Sequence, residues 1–279
     1  MQNIITRFQR DLNLRGYSPK TCQVYTSQIV QFLQHTNLSE KIPKAEELKD
    51  YLYHLVSEHH LSNSSLKQTS SAIKYLYTQT LGLSWESLNI PNIKVKRKLP
   101  VWYTANEVHS ILDNAKNLKH KTILTLIYSS GLRLSESVNI KISDVYRNQK
   151  RLLVRQGKGG KDRYTILSDR ALKLLEQYWL AYKPTTYFFQ GRDGNPYSPR
   201  SCQQAFYLAK ERAGVTRDGG IHGLRHSFAT HYLENGGGIF QLQKFLGHKN
   251  LTTTLVYAHV LEEKNEIISP LDYYYENSK

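Results

Sequence analysis

The chain has 279 residues, with 38 Lys+Arg against 23 Asp+Glu and a formal net charge of +15. That length suits one large domain or two modest ones, and 39% hydrophobic residues are enough to bury cores, which excludes a disordered basic tail. Two cysteines, Cys22 and Cys202, are too few for a disulfide framework or a thiolate metal cage.

No apolar run approaches the roughly 18 residues of a bilayer span, and no signal-peptide pattern opens the chain, so a soluble, cytoplasmic protein is expected. The positive surplus points to a polyanion, of which nucleic acid is the usual one, while basicity that serves only solubility stays open. The 20 tyrosines are the other unusual count. Taken singly, each is far more ordinary as core or surface than as a nucleophile.

In chain order, the first ninety or so residues read as helices. Ser18 is a capping residue with Pro19 at the first helical position, and Val24, Tyr25, Ile29, Phe32 and Leu33 follow at helical spacing. A second stretch from Ser64 puts Leu66, Ile73, Leu76 and Tyr77 on one face, and Pro91 ends the pattern. The segment Lys94-Val95-Lys96-Arg97-Lys98-Leu99-Pro100 has the composition of an exposed linker, its basic run equally suited to solvent or to phosphate. The expected organisation is a helical domain over 1–93, a basic linker over 94–102 and a second domain over 103–279.

Helical stretches from Thr104 and from His120 then lead into Gly131. Two β-like runs, Arg151 to Arg155 and Arg163 to Leu167, flank Gln156-Gly157-Lys158-Gly159-Gly160-Lys161-Asp162, whose glycines permit positive φ. A hairpin with a basic, glycine-rich tip is expected there. Helical patterns return near Asp169, Ser198, Leu224, Ile239 and Thr252. The fold class is mainly α with a small antiparallel sheet (α+β) in the second domain.

Four clusters in that domain carry possible chemistry. In Ser130-Gly131-Leu132-Arg133-Leu134-Ser135-Glu136, Arg133 and Glu136 have the spacing of a helical ion pair. Lys158 sits on the hairpin tip, which is no nucleotide-binding loop because G-x-x-x-x-G-K-[ST] is absent. In Ile221-His222-Gly223-Leu224-Arg225-His226, His222 and Arg225 share one face at a helix start, where the positive end favours an anion. His222 and His226 also have zinc-helix spacing, but Gly223 stands where metalloprotease chemistry needs glutamate. In the fourth, Gly247 reads as a helix C-cap before His248, and Thr252-Thr253-Thr254 start a helix carrying Tyr257.

In this order, Arg133, Lys158, His222-x-x-Arg225, Gly247-His248 and Tyr257 nine residues on, the series resembles the tyrosine recombinase (phage integrase) family. The resemblance covers Gly131–Glu136, Gly157–Arg163, Leu224–Glu234 and Leu246–Val260. More loosely, Gly16-Tyr17-Ser18-Pro19-Lys20-Thr21 and Tyr25 match the helical, SAM-like core-binding domain. It implies a two-domain DNA clamp, either a compact Xer-like recombinase or one carried by a mobile element.

The resemblance further implies that Tyr257 attacks a phosphodiester to give a 3′-phosphotyrosine. A phenol with a pKa near 10 is only about 0.1% ionised at neutral pH, so it needs a base or a positive field. His222 is implied as its proton handler, Lys158 as general acid for the departing 5′-oxygen, and Arg133, Arg225 and His248 as holders of the non-bridging oxygens. Glu136 braces Arg133. Lys20, Lys67, Lys74, Lys94, Lys96, Arg97, Lys98, Lys161 and Arg163 are the expected DNA contacts.

The scheme calls for no cofactor and no metal. Its partners are double-stranded DNA and further copies of the chain, expected as a tetramer on two DNA sites held by the C-terminal tail, which packs in trans or on its own domain. A type IB topoisomerase-like enzyme and a non-catalytic DNA-binding protein remain alternatives. The charge is also uneven. Residues 96–260 carry 26 Lys+Arg against 11 Asp+Glu, the whole surplus, while residues 261–279 are net −3 and suit a protein-facing role.

Overall fold

The computed structural model describes residues 2–36, 44–95, 100–155 and 161–258. The chain divides into two units, Met1–Lys98 and Leu99–Lys279. Of the residues expected to bear function, Lys96, Arg97, Lys98, Lys158 and everything after Ala258 lie outside the described residues.

The first unit is helical because its apolar residues recur every three or four positions and its helix starts are capped. It contains α1 (Gln2–Leu14), α2 (Pro19–His35), α3 (Ala45–Ser57) and α4 (Asn63–Tyr75). Ser18 accepts a hydrogen bond from the Thr21 amide at 3.2 Å, and Ser62 does the same for Ser65. Each satisfies a donor that the first helical turn leaves without a partner. Phe8 and Leu12 of α1, Ile29 and Phe32 of α2, Leu48 of α3 and Ile73 of α4 meet in one buried cluster. The fourth helix, with the π turn that ends it, stops at Thr80, and only a 3-10 turn over Glu86–Leu88 separates it from Pro91. A π turn over Leu76–Thr80 widens the end of α4, and Gly82 at φ 71° then redirects the chain. Leu76 and Tyr77 stay in the core through that turn.

The second unit begins with α5 (Ala105–Asp113), closed at its start by a reciprocal Thr104–Glu107 capping box. It continues with α6 (Leu118–Ser130) and a short α7 (Leu134–Val138). The strands β1 (Val145–Tyr146), β2 (Arg151–Val154) and β3 (Arg163–Ile166) form one antiparallel sheet in that order, with Leu152 paired to Thr165 and Val154 to Arg163. The hairpin expectation holds for β2 and β3, and the two-residue β1 is an addition that periodicity is too short to reveal. Next come α8 (Asp169–Tyr182), α9 (Pro199–Arg212), α10 (His222–Glu234) and α11 (Ile239–Leu246). The stretch carrying Tyr257 is not an α-helix but two successive 3-10 turns, Leu251–Thr253 and Leu255–Tyr257.

Two of these helices have little solvent-facing surface. From α6, Thr122 through Ile127 are all buried, and α10 buries nine of its residues, including Leu224, Arg225, Phe228 and Ala229. They pack on each other at the centre of the unit. The sheet is tied to them by Thr165 Oγ1, which donates to the Ser130 carbonyl at 2.7 Å. Helix α6 ends at Gly131, whose φ of 63° lies in the left-handed region that favours glycine. A Cβ at Gly131 would stand only 2.4 Å from the Phe228 ring. Gly131→Ala therefore combines backbone strain with overpacking. It is expected to cost the second unit about 2–4 kcal/mol, measured as a lower guanidinium midpoint of the full-length chain.

Candidate active site

Five short segments converge on one cleft of about 690 Å³ in the second unit, lined among others by Pro100, Arg133, His222, Arg225, His226, His248 and Tyr257. Arg133 caps the start of α7 just after the left-handed end of α6. The first turns of α10 supply His222, Arg225 and His226, which fall on neighbouring faces because they stand three and four positions apart. Gly247, at φ 65°, ends α11 and turns His248 into the cleft. Tyr257 arrives on the last 3-10 turn and is 4% exposed.

Arg225 is the most enclosed charge. Its side chain is 2% exposed, and it donates to the carbonyls of Gly131 at 2.6 Å and Leu246 at 2.7 Å. Those acceptors are the ends of α6 and α11, where helix carbonyls lack intrahelical partners. Burial and the nearby Arg133 lower the Arg225 pKa to about 9, which leaves it charged at neutral pH. Two of its five N–H donors serve the carbonyls, and the fork is held rigid for an oxyanion.

Behind the cleft, Glu136 is shared by three guanidiniums. Arg133 reaches it at 2.6 Å, Arg163 at 2.7 Å and Arg225 at 3.6 Å. Burial pushes the Glu136 carboxyl up, but the hydrogen bonds and charge of Arg163, then those of Arg133, prevail and hold it at about 2. Three cations around one anion leave the cluster positive, which suits a group with charge on non-bridging oxygens.

The histidines differ in their tasks. His248 lies 3.3 Å from Arg225 through Nε2, and its Nδ1 meets Thr254 Oγ1 at 3.0 Å. His226 meets the Tyr257 hydroxyl through Nδ1 at 2.6 Å. Burial lowers both rings to about 4, helped by Arg225 for each and by His222 at His226, so both are neutral at pH 7. Tyr257 is itself raised above the usual phenol value by burial, against the pull of Arg225 and Arg133.

Sequence reasoning placed Arg133, His222, Arg225, His248 and Tyr257 together, and all five line this cleft. Glu136 stands behind Arg133 as a brace. Arg163 departs from its expectation as a DNA contact. Its side chain is 10% exposed and is committed to both Glu136 oxygens and to the Phe245 carbonyl at 2.7 Å. The Tyr257 hydroxyl meets His226 rather than His222, the ring implied by the resemblance as its proton handler. The i, i+4 spacing of the two histidines was the only signal of that contact. Lys20, Lys67, Lys74, Lys94 and Lys161 are exposed. Among the described residues no helix is long and apolar enough to cross a membrane.

The phage integrase family matches residues 102–264, and its N-terminal SAM-like domain matches residues 4–87. Tyrosine recombinase XerA of Pyrococcus horikoshii is 36% identical over 92% of this chain and 89% of its own length. Tyrosine recombinase XerC of Lactobacillus delbrueckii subsp. bulgaricus is 32% identical over 89% of this chain and 90% of its own. The chain belongs to the phage integrase family. Among solved structures, XerA recombinase shares 27% identity with a TM-score of 0.54, over 94% of this chain and 96% of that one. XerH site-specific recombinase bound to palindromic difH substrate has the same fold, with a TM-score of 0.73 at 21% identity over 96% of this chain and 89% of that one.

The Glu136 value sets a pH dependence. Its folded pKa lies below the ordinary 4.5, so its contribution to stability is whole above about pH 4.5 and disappears as pH falls through about 2. The stability gap between the natural chain and Glu136→Gln, about 3 kcal/mol at pH 7, is expected to close over that window in urea titrations.

Proposed function

We propose that the chain is a site-specific DNA recombinase that cuts and rejoins strands through a 3′-phosphotyrosine. The observation that carries this reading is the position of Tyr257. It is a buried tyrosine lining a cleft beside two arginines and three histidines, one of the arginines almost fully enclosed. Family membership and the tyrosine recombinases that align along nearly the whole chain support it.

In this reading, Arg133 and Arg225 hold the non-bridging oxygens of the scissile phosphate with free guanidinium N–H groups, and His248 adds a further contact. Tyr257 attacks phosphorus, and the departing 5′-oxygen takes a proton from Lys158. The phosphotyrosine conserves the energy of the broken bond, so a 5′-hydroxyl from a second duplex reseals the strand without ATP. The donors are fixed before substrate arrives, since Arg225 is held by two helix ends and Arg133 by Glu136, and little reorganisation remains for the reaction itself.

Double-stranded DNA is the partner, gripped by the basic stretch from 96 to 260 and the exposed lysines of the first unit. Exchange between two duplexes needs four strand cuts, which a tetramer of one-tyrosine subunits supplies. Integration, excision and resolution all use this chemistry.

Two outcomes test the reading. A pool of nicked duplexes with randomised cores is expected to yield SDS-resistant protein–DNA adducts, and Tyr257→Phe abolishes them while retaining DNA binding in gel-shift assays. Adducts that persist, or that map to another tyrosine, overturn the assignment. Arg225→Lys cannot span both carbonyls and the phosphate, and a loss of roughly a hundred- to a thousandfold in single-turnover cleavage is expected.

A further inference from the structure

The Tyr257 hydroxyl is already in the grip of a base. His226 Nδ1 lies 2.6 Å from Oη, and the two rings are tilted by 43° with centroids 5.8 Å apart. His222, one helical turn earlier, packs edge to face against His226 with centroids 5.0 Å apart. Among the described residues it makes no hydrogen bond to Tyr257. The phenol therefore has a partner on α10, and that partner is the second histidine of the run.

We propose that His226 is the proton acceptor for Tyr257, a catalytic residue in addition to His222, Arg225 and His248. The proposal rests on the recombinase reading. As the Tyr257 oxygen bonds to phosphorus and the P–O5′ bond breaks, the phenolic proton passes to Nδ1 of His226, which becomes imidazolium. The 5′-oxygen takes its proton from Lys158. On rejoining, each proton returns along the same path, so neither the cut nor the seal needs a further reactant. His222, exposed at one side of the cleft, is left to contact the phosphate.

The surroundings explain when this base works. The groups that face the His226 ring are His222 and Arg225 from its own helix, Tyr257 from the last 3-10 turn and His248 from the end of α11. Without DNA the ring is neutral, so the Nδ1 lone pair is free to accept a proton and the N–H sits on Nε2. It is then a weak base, because burial and the two α10 neighbours disfavour the imidazolium. A phosphodiester held on Arg133 and Arg225 offsets that positive field, and the charge that builds up in the transition state offsets it further. The substrate thus strengthens the base that acts on it, and a tyrosine that meets only water stays protonated.

The test is single-turnover cleavage between pH 6 and 9, using nicked duplexes recovered from the randomised pool. His226→Gln keeps a hydrogen-bonding group but no imidazole, and His226→Asn serves in parallel should one variant misfold. Both are expected to bind DNA normally and to cleave roughly a hundred- to ten-thousandfold more slowly. Their rates should keep rising with pH where the natural chain levels off. Fluorinated tyrosine at position 257, with its lower phenol pKa, should restore much of the rate in these variants.

Cleavage by His226→Gln at the natural rate overturns the proposal. So does a slow variant with an unchanged pH profile and no recovery from fluorotyrosine, which would mean that His226 only positions the ring. Failure of the natural chain to form any Tyr257 adduct counts instead against the recombinase reading.

Discussion

A guanidinium can be buried only if its donors and its charge are answered within the protein, and the second unit is organised around one that is. Arg225 sits inside α10 and reaches the ends of two other helices, taking the Gly131 carbonyl from α6 and the Leu246 carbonyl from α11. Both acceptors are groups that a helix end leaves unsatisfied, so one residue completes two helices. The glycines at 131 and 247 follow from this arrangement. Each turns the chain in the left-handed region, and each is hemmed in, the first by Phe228 and the second by the Arg163 side chain 2.7 Å from where a Cβ would stand. Loss of Arg225 would leave two carbonyls without their partner, and the cleft would lose its shape along with part of its charge.

The second layer of the site answers the positive charge only in part. Glu136 alone, shared by Arg133, Arg163 and Arg225, leaves the group net positive in a partly water-excluded place. Arg163 meets both carboxylate oxygens and a helix-end carbonyl as well, which fixes the carboxylate in position. Mutual repulsion among cations is held back by that single anion, and a phosphate arriving in the cleft would relieve the remainder. The site is thus electrostatically biased toward its substrate before contact.

Much of this was legible in the sequence, for identifiable reasons. Capping residues such as Ser18 and Thr104 act over three or four positions, and apolar periodicity acts over one or two turns, so helices and the hairpin could be read locally. The cleft residues were recognisable from their order. What stayed hidden depends on neighbours distant in sequence. Arg163 follows a basic, glycine-rich tip and reads as surface, yet its strand pairs inward and Glu136 lies 27 residues upstream. The threonine run before Tyr257 reads as a helix start, but two brief 3-10 turns bring the tyrosine to His226. Nothing in the spacing of His222 and His226 says which of the two rings the phenol will meet.

The contacts that close the second unit also impose an order in time. The Tyr103 amide, at its very start, is satisfied by the hydroxyl of Ser227, 124 residues later. The Gly131 carbonyl waits 94 residues for Arg225. At a synthesis rate of about 5–20 residues per second, the first of these gaps lasts roughly 6–25 s on the ribosome. The first unit waits less, because its fully buried cluster runs only from Phe8 to Tyr77. A nascent chain can therefore own a finished helical first unit while the arginines, histidines and tyrosine of the cleft are still unmade. The site is complete only once residues 133 to 257 have all been made.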